Sequence, residues 1–347
     1  VTSVFALLIF ASGPAAGDTA VGFPARIDAL ERHIYVGNAT TNTITIYDAN
    51  ANGNVAPVRT IGGPNTGISC LRQIAADELG DVYVANFGPC PGMANAGRSA
   101  PLGSVLVFAS NANGNVAPVR TIAGPSTRIK YCTAVAVDTD GTVYVGTSNG
   151  PFSSLLRFAP GAAGNVPPLR SLFENYVVVD GLTLNPGAGL LASYSGTGQA
   201  HQFFGVAYVN KSFPGIKEAI FGHDPGPLAA DPATHTFLAL EGGFSFPSPA
   251  STAYRFADGT TGYFNGPGGG SAFVPPPLSS FSITTCPVAI AIGHTRTIYV
   301  AGQAGSNCAA DTISSFAPNA TGNAVPFRQI SGPATQLAAP TYVTIGP

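Results

Sequence analysis

Three carboxylates are the residues whose type and placement best suit chemistry: Asp180 in "VVVDGL", Asp224 in "FGHDPG" and Glu241 in "TFLALE". With Asn38 or Asn86 they would form an oxygen donor set of the kind that holds Ca²⁺. The same Asp residues can instead cap turns, as Asx side chains commonly do. His223 neighbours Asp224, but none of the five histidines is paired at metal-ligand spacing, and neither HxxxH nor HExxH occurs. A nucleophile elbow, a P-loop, a dinucleotide-binding glycine motif and a haem attachment site are also missing. "GPGGG" at 266–270 reads as a loop, with no helix to make it a phosphate cradle.

Composition narrows the setting. Charged residues are 9% of the 347, far below the usual roughly 25%, and no basic stripe exists to meet nucleic acid. The 43 Gly and 30 Pro sit between short apolar, β-branched runs, which reads as many strands joined by many turns. A weakly charged surface rich in Thr, Ser, Asn and Gly suits a secreted, periplasmic or cell-surface protein. The opening run "VTSVFALLIFASGPAAG" (1–17) has the apolar core and small-residue end of a secretory signal peptide. It also reads as an N-terminal strand, since "SVFALLIFAS" is like "SVLVFAS" at 104–110. It is too short to span a bilayer, and no other segment reads as transmembrane.

These residues need elements to hold them, and the chain repeats itself. "NANGNVAPVRTI" occurs at both Asn50–Ile61 and Asn111–Ile122, with degraded copies at 161–172 and 319–330. An aromatic closes a recurring strand at Tyr47, Phe108, Phe158, Tyr208, Phe256 and Phe316. A second strand precedes each, centred on Tyr35, Tyr83, Tyr144, Leu191, Phe237 and Tyr299. Before that lies a strand of small apolar residues: "ARIDAL", "QIAADE", "AVAVDT", "GLTLNP", "PLAADP" and "VAIAIG". "VRTI" supplies the fourth strand. Six units of four strands, about 50 residues each, predict an all-β fold, a six-bladed β-propeller filling residues 18–347 as one domain. Gly53, Gly114, Gly164 and Gly322 are placed at the turn between third and fourth strands. "TYVTIG" near the C-terminus is a seventh strand of the first type, expected to close the ring beside the first unit, with "ARIDAL" its rival for that slot.

"AVAVDTDGTVYVGT" and "QIAADELGDVYVAN" resemble the NHL-type repeat of bacterial secreted propellers: an apolar strand, then Asp, a Gly turn and a "YVA"-like strand. The resemblance is good for units one, two, three and six and weak for four and five. It implies a propeller and a ligand-binding ring, in a group that includes sugar-lactone hydrolases, a streptogramin lyase and binding modules. The glutamate that lactonase-type relatives use as a Ca²⁺ ligand on the first blade has no match here. Fold alone does not choose a function.

In a propeller the loops entering the first strand and leaving the second open on one face. That face would present Asn38, Arg72, Asn86, Thr147, Asp180, His223, Asp224 and Glu241 around the axis. His33, His235 and His294 fall on the opposite face. The recurring Arg59, Arg120, Arg170 and Arg328 read as hairpin ties or as a ring of anion sites. Cys70 and Cys286 enter first strands, while Cys90 and Cys308 leave the second strands of the same units. Antiparallel neighbours bring those ends together, predicting Cys70–Cys90 and Cys286–Cys308 disulfides. Cys132 has no partner in its unit and is expected to be a free, largely buried thiol.

Three functional readings follow. One is a binding or scaffold propeller holding a glycan, peptide or protein at its axial face, with no cofactor and no strong catalytic machinery. Another is a Ca²⁺-assisted small-molecule hydrolase or lyase using Asp180, Asp224 and Glu241. The last is a surface protein that self-assembles by adding its apolar N-terminal strand to a neighbour's sheet.

Overall fold

A computed structural model describes residues 31–88, 102–149, 152–175, 177–185, 189–197, 202–209, 216–221, 227–240, 251–260, 276–305 and 308–347. The signal-like run, "ARIDAL", Cys90, His201, His223, Asp224 and Glu241 lie outside the described residues.

The fold is all-β, in a propeller arrangement. The described residues contain three single-turn 3-10 segments and no longer helix, so no helix among them is long and apolar enough to cross a membrane. The strands group into six four-stranded antiparallel sheets. The first joins β1 (His33–Asn38), β2 (Thr43–Asp48) and β3 (Arg59–Ile61) to the final strand, β24 (Pro340–Gly346). The second holds β4 (Leu71–Ala76), β5 (Val82–Asn86), β6 (Ser104–Phe108) and β7 (Arg120–Ile122). The third holds β8 (Tyr131–Val137), β9 (Val143–Asn149), β10 (Phe152–Phe158) and β11 (Arg170–Asn175). The fourth runs β12 (Val177–Asn185), β13 (Gly189–Thr197), β14 (Gln202–Val209) and β15 (Ile216–Phe221). The fifth runs β16 (Leu228–Asp231), β17 (Thr236–Leu240), β18 (Ser251–Ala257) and β19 (Ser279–Ile283). The sixth runs β20 (Pro287–Ile292), β21 (Ile298–Gly302), β22 (Thr312–Phe316) and β23 (Arg328–Ser331). Five of the sheets are described with side chains nearly throughout; the fourth is described mainly by its backbone.

Strands β24, β4, β8, β12, β16 and β20 contact one another in a closed cycle, which makes them the inner strands. The core lies in the wedges between adjacent sheets. Val143 and Val145 of β9 pack into the wedge with Tyr83, Val107 and Phe158, whereas Tyr144 between them packs with Leu182 and Ala192 on the other side. Alternate side chains of one strand thus serve two wedges. Both faces are buried, and the strands read as apolar runs without polar alternation.

The repeated string does more than turn a hairpin. Gly53, Gly114, Gly164 and Gly322 all have positive φ, between 60° and 80°, as a tight turn requires. Each also forms a bridge to the outer strand of the preceding sheet: Gly114 to Ile61, Gly164 to Ile122, Gly322 to Phe281 and Gly53 to Ile330. The flanking asparagines complete the clasp. Asn113 Oδ1 accepts from Thr60 N at 3.0 Å and Asn115 Oδ1 from Asn65 N at 2.7 Å. Asn52 and Asn54 repeat this on Gln329 N and Ala334 N at 2.9 and 2.8 Å. Two of the recurring arginines have described bonds: Arg59 donates to the Ser110 carbonyl of the next sheet, and Arg120 to Tyr83 Oη of its own sheet at 2.9 Å.

Closure uses both ends of the described chain. β24 pairs antiparallel with β1 from His33↔Gly346 to Asn38↔Pro340, so "TYVTIG" takes the inner slot of the first sheet. Glu31, just before β1, reaches the sixth sheet, accepting from Thr295 N at 2.6 Å and Tyr299 Oη at 2.7 Å. In the second sheet Asp77 does the same for Leu79 N and Tyr83 Oη. The sixth sheet has Gly293 at that position, and a Cβ there would run into the Glu31 carboxylate. The acid missing from one sheet is supplied by another.

Candidate functional site

Each inner strand meets its neighbour regularly until the end nearest the face where the first strands begin. There the pairing of β4 with β5 slips between Leu71 and Ile74, that of β12 with β13 between Val179 and Gly181, and that of β8 with β9 between Cys132 and Ala134. Bulges of this kind re-aim side chains. They fall beside Arg72 and Gln73 of β4 and Asp180 of β12, and Gln73 turns towards the axis.

Gln73 crosses the axis. Its Nε2 donates to Leu182 O and Tyr342 Oη, both at 2.6 Å, and its Oε1 accepts from Leu182 N at 3.1 Å and Val135 N at 3.3 Å. One buried amide therefore ties β4 to β8, β12 and β24 with all four of its hydrogen-bonding positions in use. Tyr342 Oη also donates to Leu182 O at 3.5 Å, and burial raises its phenol pKa. Beyond Gln73 lies a cavity of about 270 Å³, walled by all six inner strands, with Ala75, Val137, Thr183, Ala230, Ala291 and Thr344 among its lining. Its mouth opens on the opposite face, at Asp231, His294 and Arg296. Asp231 is buried there between Arg255 at 3.0 Å and Arg296 at 3.1 Å. Burial alone would raise its pKa; the hydrogen bonds from Arg296 and Thr234 and the two positive charges outweigh that and hold it below the usual range.

On the near side of Gln73, Arg72 is exposed, with Cζ 4.6 Å from the centroid of Phe87. Phe87 stacks on Tyr131 at 5.0 Å and 18°. Lys130 Nζ lies 5.7 Å from the Tyr131 ring and donates to Asn149 Oδ1 at 2.6 Å. The four side chains form a ladder of cation, ring, ring and cation along the inner rim of the second and third sheets. Loss of solvent lowers the Arg72 pKa, and the field of Asp180 from across the axis acts in the opposite sense.

The predicted face residues fall into three groups. Asn38, Asn86 and Thr147 stand at matching ends of second strands and hold the chain that enters the first strand. Asn38 Oδ1 accepts from Ala338 N at 2.9 Å, Asn86 Oδ1 from Ser69 N at 2.7 Å and Thr147 Oγ1 from Lys130 N at 3.0 Å. All three are buried, and their polar atoms bond to backbone and to neighbouring hydroxyls of the protein itself. Asp180 is near enough for its charge to act on Arg72. His223, Asp224 and Glu241 lie outside the described residues, and no metal-holding cluster of three His, Cys, Asp or Glu occurs among the described ones. Cys286 and Cys308 form a disulfide, and Cys70 is disulfide-bonded, its expected partner Cys90 lying outside the described residues. Cys132 is a buried free thiol whose pKa burial pushes up. Sequence reasoning missed Gln73, Phe87, Lys130 and Tyr131. A Gln inside a strand type otherwise built of small apolar residues was the available signal for the first.

No family model matches the chain, and neither does any curated protein. A solved structure of a protein from Lactobacillus plantarum is similar over 87% of this chain and 82% of that one, at 14% identity and a TM-score of 0.48.

Proposed function

We propose that the chain is a six-bladed, NHL-like propeller of an extracytoplasmic compartment that binds a ligand at the axial face carrying Arg72 and Asp180. The exposed cation–aromatic ladder carries this reading. On that face Asn38, Asn86 and Thr147 are engaged in holding the fold, whereas Arg72, Phe87, Tyr131 and Lys130 leave charge and ring surface toward solvent. Six sheets whose inner strands contact in a cycle support the blade number. The Cys286–Cys308 bridge supports an oxidising compartment. A Ca²⁺-assisted hydrolase on the same face would draw on Asp180 with Asp224 and Glu241. The rings and cations of the ladder supply no oxygen ligand for Ca²⁺, which favours binding over that alternative.

Affinity electrophoresis of the purified chain through gels containing different polysaccharides, with peptide arrays alongside, tests the reading. Retardation by at least one ligand, lost in Arg72→Gln and kept in the outer-edge variant Phe327→Ser, is the expected result. Dependence on Phe327 instead, or release of new chain ends from a retained polymer, overturns it.

A further inference from the structure

We infer that Asn52 and Asn113 are sites of spontaneous modification, converted by water to aspartate and isoaspartate when the clasps that hold them open. Each is followed by glycine, and these are two of the chain's four Asn–Gly pairs; Gly150 of the pair 149–150 and both residues of the pair 265–266 lie outside the described residues. Glycine has no side chain to shield its nitrogen, which can therefore reach the preceding side-chain amide. In the reaction the glycine nitrogen bonds to the asparagine Cγ. Its proton leaves with the amide nitrogen as ammonia, and a succinimide ring closes. Water then opens the ring at one carbonyl or the other, giving aspartate or isoaspartate. Asparagine is labile in this way without an enzyme.

The fold ties down both reacting groups. Thr60 takes both of them from the neighbouring sheet: its carbonyl accepts from Gly114 N at 2.6 Å, and its N–H donates to Asn113 Oδ1 at 3.0 Å. Gln329 does the same for the first sheet, accepting from Gly53 N at 2.7 Å and donating to Asn52 Oδ1 at 2.9 Å. The glycine nitrogen must shed a proton that it is donating, and the amide must swing off a bond to be reached. All four residues are exposed, so water is at hand and parting one clasp suffices. The matching hairpins of the third and sixth sheets carry Ala163 and Thr321 before Gly164 and Gly322, so they form the turn without the reactive amide. The two products differ in effect. Aspartate keeps an oxygen for Thr60 N or Gln329 N, whereas isoaspartate routes the main chain through an extra carbon and takes the glycine out of register.

Peptide mapping by mass spectrometry tests this, on the whole chain held in mildly alkaline heavy-oxygen water, folded or in urea. In urea Asn52 and Asn113 should convert ahead of Asn54 and Asn115, whose following Val55 and Val116 crowd the nitrogen with a branched side chain. In the folded chain both should convert roughly thirtyfold more slowly than in urea, the worth of two net hydrogen bonds. Asn115→Ala removes the adjoining bond to Asn65 N and should speed Asn113 several-fold while leaving Asn52 unchanged. Melting temperature checks that this variant is folded, and Asn115→Ser replaces it if it is not. Equal rates in the folded and unfolded chain, or an Asn113 rate unmoved by the variant, would show that the clasps do not restrain the reaction. Conversion in urea no faster at Asn52 and Asn113 than at Asn54 and Asn115 would remove the sites themselves. Any of these results overturns the inference.

Discussion

Gln73 makes four hydrogen bonds across the axis, and no other side chain of the described inner strands joins so many of its neighbours. Gln73→Ala would strip partners from Leu182, Val135 and Tyr342. An unmade buried hydrogen bond costs about 1–3 kcal/mol, and water from the adjoining cavity would repair part of it. A net loss of about 2–3 kcal/mol in urea unfolding, with the slope unchanged, is expected; an unaltered midpoint would rule out the crosslink. Asp231 gives a pH test. Its pKa is depressed in the fold, against about 3.9 in an unfolded chain, so its contribution is complete above about pH 4 and fades as pH falls through the folded value. The stability gap between the protein and Asp231→Asn should therefore be widest near pH 6 and shrink towards pH 2. Among the described cysteines Cys132 alone is a free thiol, so with Cys90 paired to Cys70 as expected there should be no reaction with a thiol reagent in the native protein and a single equivalent after denaturation. Three equivalents would mean that one of the two bridges is reduced.

The clasp shows what a sequence can and cannot disclose about an element. The doubled "NANGNVAPVRTI" revealed the repeat, and its glycines revealed the turn, because a positive φ is a local demand. The asparagines' partners were not legible, since Asn113 bonds Thr60 from a different sheet 53 residues away. The candidate site divides in the same way. Asn38, Asn86 and Thr147 occupy matching positions in the second strands of their sheets, but a polar atom there reads equally as a ligand contact or as a brace for the neighbouring chain. The bulges beside Arg72 and Asp180 leave no mark in the periodicity, and the Phe87–Tyr131 contact joins two sheets. Asn115→Ala should lower stability by about 1 kcal/mol, the worth of one net hydrogen bond. Gly63→Ala should cost more, because Gly63 has φ 115° and its new Cβ would strike Asn115. Calorimetric melting of the two variants checks the order; equal melting points would count against the clasp.

For the whole molecule, closure depends on β24 and Glu31. Removing residues 340–347 would leave the inner edge of β1 bare and take Tyr342 from Gln73, so broad, non-cooperative unfolding is expected where the full chain gives one transition. Retention of one sharp transition would show that the first sheet stands without its inner strand. Glu31→Ala should be milder, leaving Thr295 N and Tyr299 Oη to find water. Three of the described clasps reach backward along the chain, Gly114 to Ile61, Gly164 to Ile122 and Gly322 to Phe281, whereas Gly53 waits for Ile330. During synthesis, amino end first, the first, second and fifth sheets each emerge before the hairpin that covers their outer edge. The first sheet also lacks its inner strand until β24 has left the ribosome. The growing chain therefore carries a succession of open strand edges, the surfaces through which β proteins aggregate. Its period of greatest hazard is the interval between the first blade's emergence and the last strand's arrival.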